Sequence, residues 1–157
     1  MANEQKALLD RFEESFLSLK QDLGFNADLD KLDDFFYLRD YVLQLRYVSL
    51  NLSRLICSRI KDVFSSWVSL LHGWVMPNPS SMISMEESKI FNDDEKKEMI
   101  DIIQLFMAHI SKNTILSISP DEKAEAEFID ESIMLWEKNR EKIKKFVEKI
   151  RHHWEMS

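Results

Sequence analysis

Four acids in the second half of the chain have the spacing from which a divalent-cation site could be built. Glu95 and Glu98 form Glu-x-x-Glu, and Glu127 and Asp130 form Glu-x-x-Asp. Residues three apart share a helix face, so two neighbouring helices could set these carboxylates around magnesium, a hard ion that takes oxygen ligands. Such an ion would polarise a phosphoanhydride and activate water. A plainer explanation stands beside this one. With 28 acids in 157 residues, about five acid pairs three apart arise by chance. Glu95 and Glu98 also belong to Asp-Asp-Glu-Lys-Lys-Glu, where acids at a helix start compensate its dipole.

Cations offer a second chemistry. Arg39 and Arg46 are seven residues apart, as are Arg54 and Lys61, so each pair shares one side of a helix and could take a phosphorylated or acidic ligand. The same residues could equally meet acids elsewhere in the chain. Residues 1–34 carry 4 basic and 9 acidic groups, whereas residues 39–61 carry 5 basic and 1 acidic. An acidic first helix is therefore expected to pair with a basic second one.

Other signatures are missing. Gly24 and Gly73 are the only glycines, which excludes a Walker loop, a dinucleotide fingerprint and a nucleophile elbow. None of His72, His109, His152 and His153 follows a glutamate by three residues, as a di-iron bundle needs. No arginine precedes a histidine by four to six residues, the pairing used by some helical-bundle nucleases. His152 lies four after Glu148, but it and His153 are read as solvated tail residues, and His72 and His109 as residues closing helices. Cys57 is alone, so no disulfide framework exists, and it is expected to be an inert core thiol.

The elements that would position these groups are helices. Two glycines and three prolines are far fewer than an average chain carries. From Asp30 to Met76 an apolar row runs Phe35, Leu38, Val42, Leu45, Leu52, Ile56, Ile60, Val63, Trp67, Leu70 and Trp74, in steps of three and four broken only at Ser49. A straight helix of that length would span about 69 Å, and a break is placed around Ser49–Ser53, where short polar side chains compete for backbone hydrogen bonds. Before it, Leu8, Phe12, Phe16, Leu19 and Leu23 predict a first helix over Asn3–Leu23, stopped by Gly24 with Phe25 folding back.

After the Pro77–Ser81 turn, Ser84 and Glu87 predict a short capped helix through Phe91, and Asn92 with Glu95 starts a third main helix ending near Asn113. Thr114–Ile118 is expected to be a buried connection. Ser119, Pro120 and Asp121 open a fourth helix running to about Trp154, with Ser119 as its cap. Its row of Trp136, Ile143, Val147, Ile150 and Trp154 keeps a near-heptad rhythm.

These readings predict one all-α domain over residues 1–157: a helical bundle of four main helices plus one short connecting helix, with a kinked or broken long second helix. The net charge of −7 disfavours nucleic acid and anionic membranes as partners. No run approaches the roughly 20 apolar residues of a membrane span, and no signal-peptide pattern opens the chain, so a cytoplasmic protein is expected. The function expected is a non-catalytic protein–protein interaction or assembly module without cofactors. Its partner would be another protein or a second copy in a homodimer or larger homo-oligomer, and its interface would be Trp136, Ile143, Val147, Ile150 and Trp154. The alternative is a Mg-dependent all-α nucleotide pyrophosphohydrolase-like enzyme using the acidic quartet.

Overall fold

Leu8, Phe12 and Phe16 recur at intervals of four, and in the computed structural model, which describes residues 1–157, they form the buried side of α1 (Ala2–Leu23). Gly24 ends that helix at φ 69°, its N–H donating to the Lys20 carbonyl. Phe25 then turns back edge-on to Phe16, with ring centroids 5.6 Å apart. The remaining helices are α2 (Leu29–Phe36), α3 (Leu38–Leu45), α4 (Leu52–Val75), α5 (Met82–Ser88), α6 (Asp93–Ile118) and α7 (Glu122–Met156). There is no strand. The chain is an all-helical bundle, as its periodicities require.

The Asp30–Met76 stretch forms three helices, not one. The gap between α3 and α4 covers 46–51. It overlaps the expected Ser49–Ser53 break but begins earlier, at Arg46, and leaves Ser53 inside α4. Within it, Ser49 Oγ accepts the Asn51 N–H at 3.0 Å. A second break, at Tyr37, has no helix-breaking residue to announce it. Tyr37 and Arg46 both take the left-handed conformation, at φ 56° and 65°, and each closes the helix before it. Asp33 fixes the Tyr37 break: its carboxylate accepts the Arg39 N–H at 2.8 Å and the Arg39 guanidinium at 3.0 Å, capping the start of α3.

Three boundaries differ from the sequence reading. Thr114–Ile118 is the last turn of α6 and not a buried connection, and of its residues only Leu116 is buried. A β-branched run with no strand to pair with continues the helix it follows. His109 consequently lies within α6, buried against Phe64 at 5.3 Å, and does not close the helix. The α7 cap is Asp121, whose Oδ1 accepts from Lys123 and Ala124, two residues later than Ser119. A carboxylate beside the first free N–H groups outcompetes a serine hydroxyl set further back. The Asn92–Glu95 capping box forms reciprocally, at 2.8 and 3.1 Å. The α5 cap is Ser81, which accepts from Ser84, and not the expected Ser84 with Glu87, and the helix ends at Ser88 and not at Phe91. Ser84 and Ser88 instead donate to the Gly73 and Trp74 carbonyls. These two bonds satisfy carbonyls that the end of α4 leaves without partners.

The chain divides into two compact units. The first, Met1–Val63 with Ser111–Leu135, is built on α1 packed against α3 and buries Phe12, Phe16, Leu32, Phe36, Leu38 and Ile56. The second, Phe64–Ile110 with Trp136–Ser157, is held by aromatic contacts: Phe64 meets Phe106 at 4.8 Å, Trp67 stacks on Trp136 at 5.1 Å, and Phe91 sits between Trp74 and Phe146. Helices α4, α6 and α7 each contribute to both units. No helix is long and apolar enough to cross a membrane.

Candidate functional site

The four acids of the candidate cation site are placed on separate tasks. In the second unit, Glu95 closes its capping box and accepts from Lys149 Nζ at 2.7 Å. Burial alone would raise its pKa, but Lys149 and the Asn92 N–H outweigh that and hold the carboxyl below the usual range. Glu98 is exposed. In the first unit, Asp130 accepts the backbone N–H groups of Asn26 and Ala27 at 2.7 to 3.1 Å, tying down the loop between α1 and α2, and Glu127 is exposed. No group of three or more His, Cys, Asp or Glu side chains is gathered so that it could hold a metal.

The arginines also separate. Arg39 is a structural hub: its guanidinium pairs with Glu13 of α1 at 3.2 Å and with Asp30 and Asp33 of α2 at 3.0 Å. Burial disfavours its charge, and the three carboxylates more than restore it. The acidic first helix thus does meet the basic segment, through this one residue. Arg46 lies exposed at the end of α3. With its fork committed to three carboxylates, Arg39 is poorly placed to hold a ligand with Arg46.

The α7 row divides in the same way. Ile143 and Ile150 are buried in the core of the second unit, and Trp136 is half-buried on Trp67. Val147 and Trp154 keep 40% and 43% of their surface. The tail is less free than its sequence suggests: His153 contacts Glu86 at 3.2 Å, and Trp154 Nε1 donates to Glu87 at 3.4 Å.

One polar cluster was not found from the sequence. In the first unit Glu125 is almost wholly buried, and its Oε2 lies 3.7 Å from Arg54 Nη1. That separation is too long for a hydrogen bond, and neither atom has another hydrogen-bond partner. Arg54 Nη2 donates to buried Asn113. Burial pushes the Glu125 carboxyl above its ordinary range; Arg54 opposes this, and Glu122 and Asp121 add to it. The Cys57 thiol, 3.5 Å from the Glu125 carbonyl, is pushed up to about 12, chiefly by burial, and a thiol so rarely ionised is a poor nucleophile. A signal for the cluster existed. Counting back four from Ile129 lands on Glu125, and continuing Phe106 and His109 in steps of three and four lands on Asn113, so both occupy core positions of their helices.

No protein family, curated protein or solved structure matches this chain.

Proposed function

We propose that the protein is a non-catalytic helical-bundle module for protein–protein interaction or assembly. The observation that carries this reading is the second apolar face of α6. Within the second unit Met99, Ile102 and Phe106 are buried, while Ile100, Ile103, Met107 and Ile110 recur at steps of three, four and three on another side, where Ile100 and Met107 are exposed and Ile103 and Ile110 half-exposed. A helix apolar on two sides has more adhesive surface than its own core consumes, and such a row is the pattern a partner helix reads. On α7, Val147 and Trp154 are what the row expected to form the seam leaves outside. Apart from the Arg54–Glu125–Asn113 cluster, the chemistry-bearing residues support the same reading, since the other polar side chains described above cap helices, tie down loops, close ion pairs or face solvent.

Light scattering on the full chain tests the proposal, with Ile100→Glu and Val147→Glu as variants. Concentration-dependent self-association that Ile100→Glu abolishes places the seam on α6, and abolition by Val147→Glu alone places it on α7. Association that neither variant changes overturns both seams, and a strict monomer at high concentration overturns self-assembly.

A further inference from the structure

The first unit contains a cleft of about 370 Å³ between α3, the loop that follows it, α4 and the end of α6. Arg54 and Lys61 line it together with the tyrosines Tyr41 and Tyr47 and with Ser58 and Ser117, and no carboxylate does. In a chain with seven more acids than bases, a concavity lined by two cations and several hydroxyls but no acid stands apart from the surface around it.

We propose that this cleft binds a small phosphorylated organic ligand of about the size of a mononucleotide. Arg54 and Lys61 are seven residues apart, two helical turns or about 10 Å along one side of α4. A phosphate at one cation therefore leaves the rest of the ligand lying along the helix toward the other. Arg54 is prepared for this task. Its one side-chain hydrogen bond is to Asn113, and Glu125 stands beside its Nη1 without bonding it. The guanidinium is thus oriented: Nη1 is buried beside Glu125 and Nη2 holds Asn113, which leaves the second Nη2 N–H and the Nε N–H for an oxyanion. Lys61 pairs only with its sequence neighbour Asp62, both partly exposed, a pairing that an incoming phosphate displaces at little cost. Of the lining hydroxyls, those of Ser58, Tyr41 and Tyr47 can donate to phosphate oxygens and ligand hydroxyls, while the Ser117 hydroxyl is already donated to the Asn113 carbonyl. The volume lies at the lower end of the roughly 300 to 1,000 Å³ of small-molecule sites, which selects a compact ligand over a protein segment.

The test is amide-resolved NMR titration of the full chain with AMP, inorganic pyrophosphate and adenosine, and with a phosphoserine peptide for comparison. AMP and pyrophosphate are expected to give saturable shifts at Arg54, Ser58, Lys61 and Ser117, whereas adenosine gives none. Lys61→Glu, a change at a partly exposed position, is expected to weaken AMP about tenfold with the rest of the spectrum unmoved. Arg54→Lys keeps the charge beside Glu125 but loses the fork, and should weaken AMP comparably. The proposal is overturned if neither AMP nor pyrophosphate saturates by about 10 mM, or if Lys61→Glu binds AMP as the parent does. It is also overturned if adenosine binds as well as AMP, or if the phosphopeptide binds tighter than both small anions.

Discussion

Glu125 and Arg39 show two ways of placing a charge inside this protein. Arg39 is partly buried but faces three carboxylates, so removing it releases several interactions together. Exposed ion pairs contribute roughly 0 to 1 kcal/mol each, and Arg39→Met is expected to lose about 1 to 2 kcal/mol in urea unfolding. Arg39→Lys should recover less than half of that, because a lysine cannot fork to several carboxylates. Glu125 faces one arginine at a distance too long to bond, and its pKa is raised. An acid that holds its proton more tightly folded than unfolded makes stability fall as pH rises from its ordinary value to its raised one. The penalty is complete above the raised value and vanishes below the ordinary one. Glu125→Gln, which mimics the protonated acid, should therefore match or exceed the parent in thermal stability at pH 7 and remove this slope. A loss of about 3 kcal/mol or more at pH 7, the cost of orphaning a buried partner, would show instead that Arg54 depends on the Glu125 charge.

At the scale of elements, what could be read in advance was whatever rests on local periodicity and caps. The α1 stop at Gly24, the Asn92–Glu95 box and the α3–α4 gap all follow from side chains within a few residues of the backbone they serve. The Tyr37 break was not legible, because what fixes it is Asp33 bonding across to Arg39 rather than a residue that disfavours helix. The candidate site was legible in residue types but not in placement: Arg54 and Lys61 share a helix side in the sequence, while Glu125 and Asn113 reach Arg54 from 71 and 59 positions away. Two predictions belong here. Asn92→Ala removes the side-chain half of the box, the acceptor for the Glu95 N–H, and leaves the backbone N–H of residue 92 to Glu95. It should cost about 1 kcal/mol, measured by chemical denaturation. Arg46 holds a left-handed backbone at the end of α3 that costs a side-chain-bearing residue roughly 1 kcal/mol. Arg46→Gly relieves that strain but gives the unfolded chain more freedom, so a net gain of up to about 1 kcal/mol is expected. A loss greater than that would mean that the arginine side chain itself holds the turn.

For the molecule as a whole, the assembly reading sets a short apolar row against a large like charge. Ile100 to Ile110 covers about 15 Å of a helix roughly 10 Å wide, on the order of 150 Å², far less than the roughly 800 Å² per partner of a standard stable interface. Association through it should be weak, with a dissociation constant of about micromolar or above. Two copies meeting there each carry a net charge of −7, and that repulsion reaches about 30 Å at 0.01 M salt but only about 8 Å at 0.15 M. Self-association is therefore expected to strengthen with salt, and again as pH falls toward the isoelectric point near 5.1. An interface held by ion pairs would weaken with salt instead. Sedimentation equilibrium across a salt series separates the two directions, with Ile100→Glu as the control that adds one charge and removes one apolar contact. If the α6 row is the seam, the parent's mean mass rises with salt while the variant's stays at that of the monomer. A mass that rises equally in both would place the adhesive surface elsewhere on the molecule.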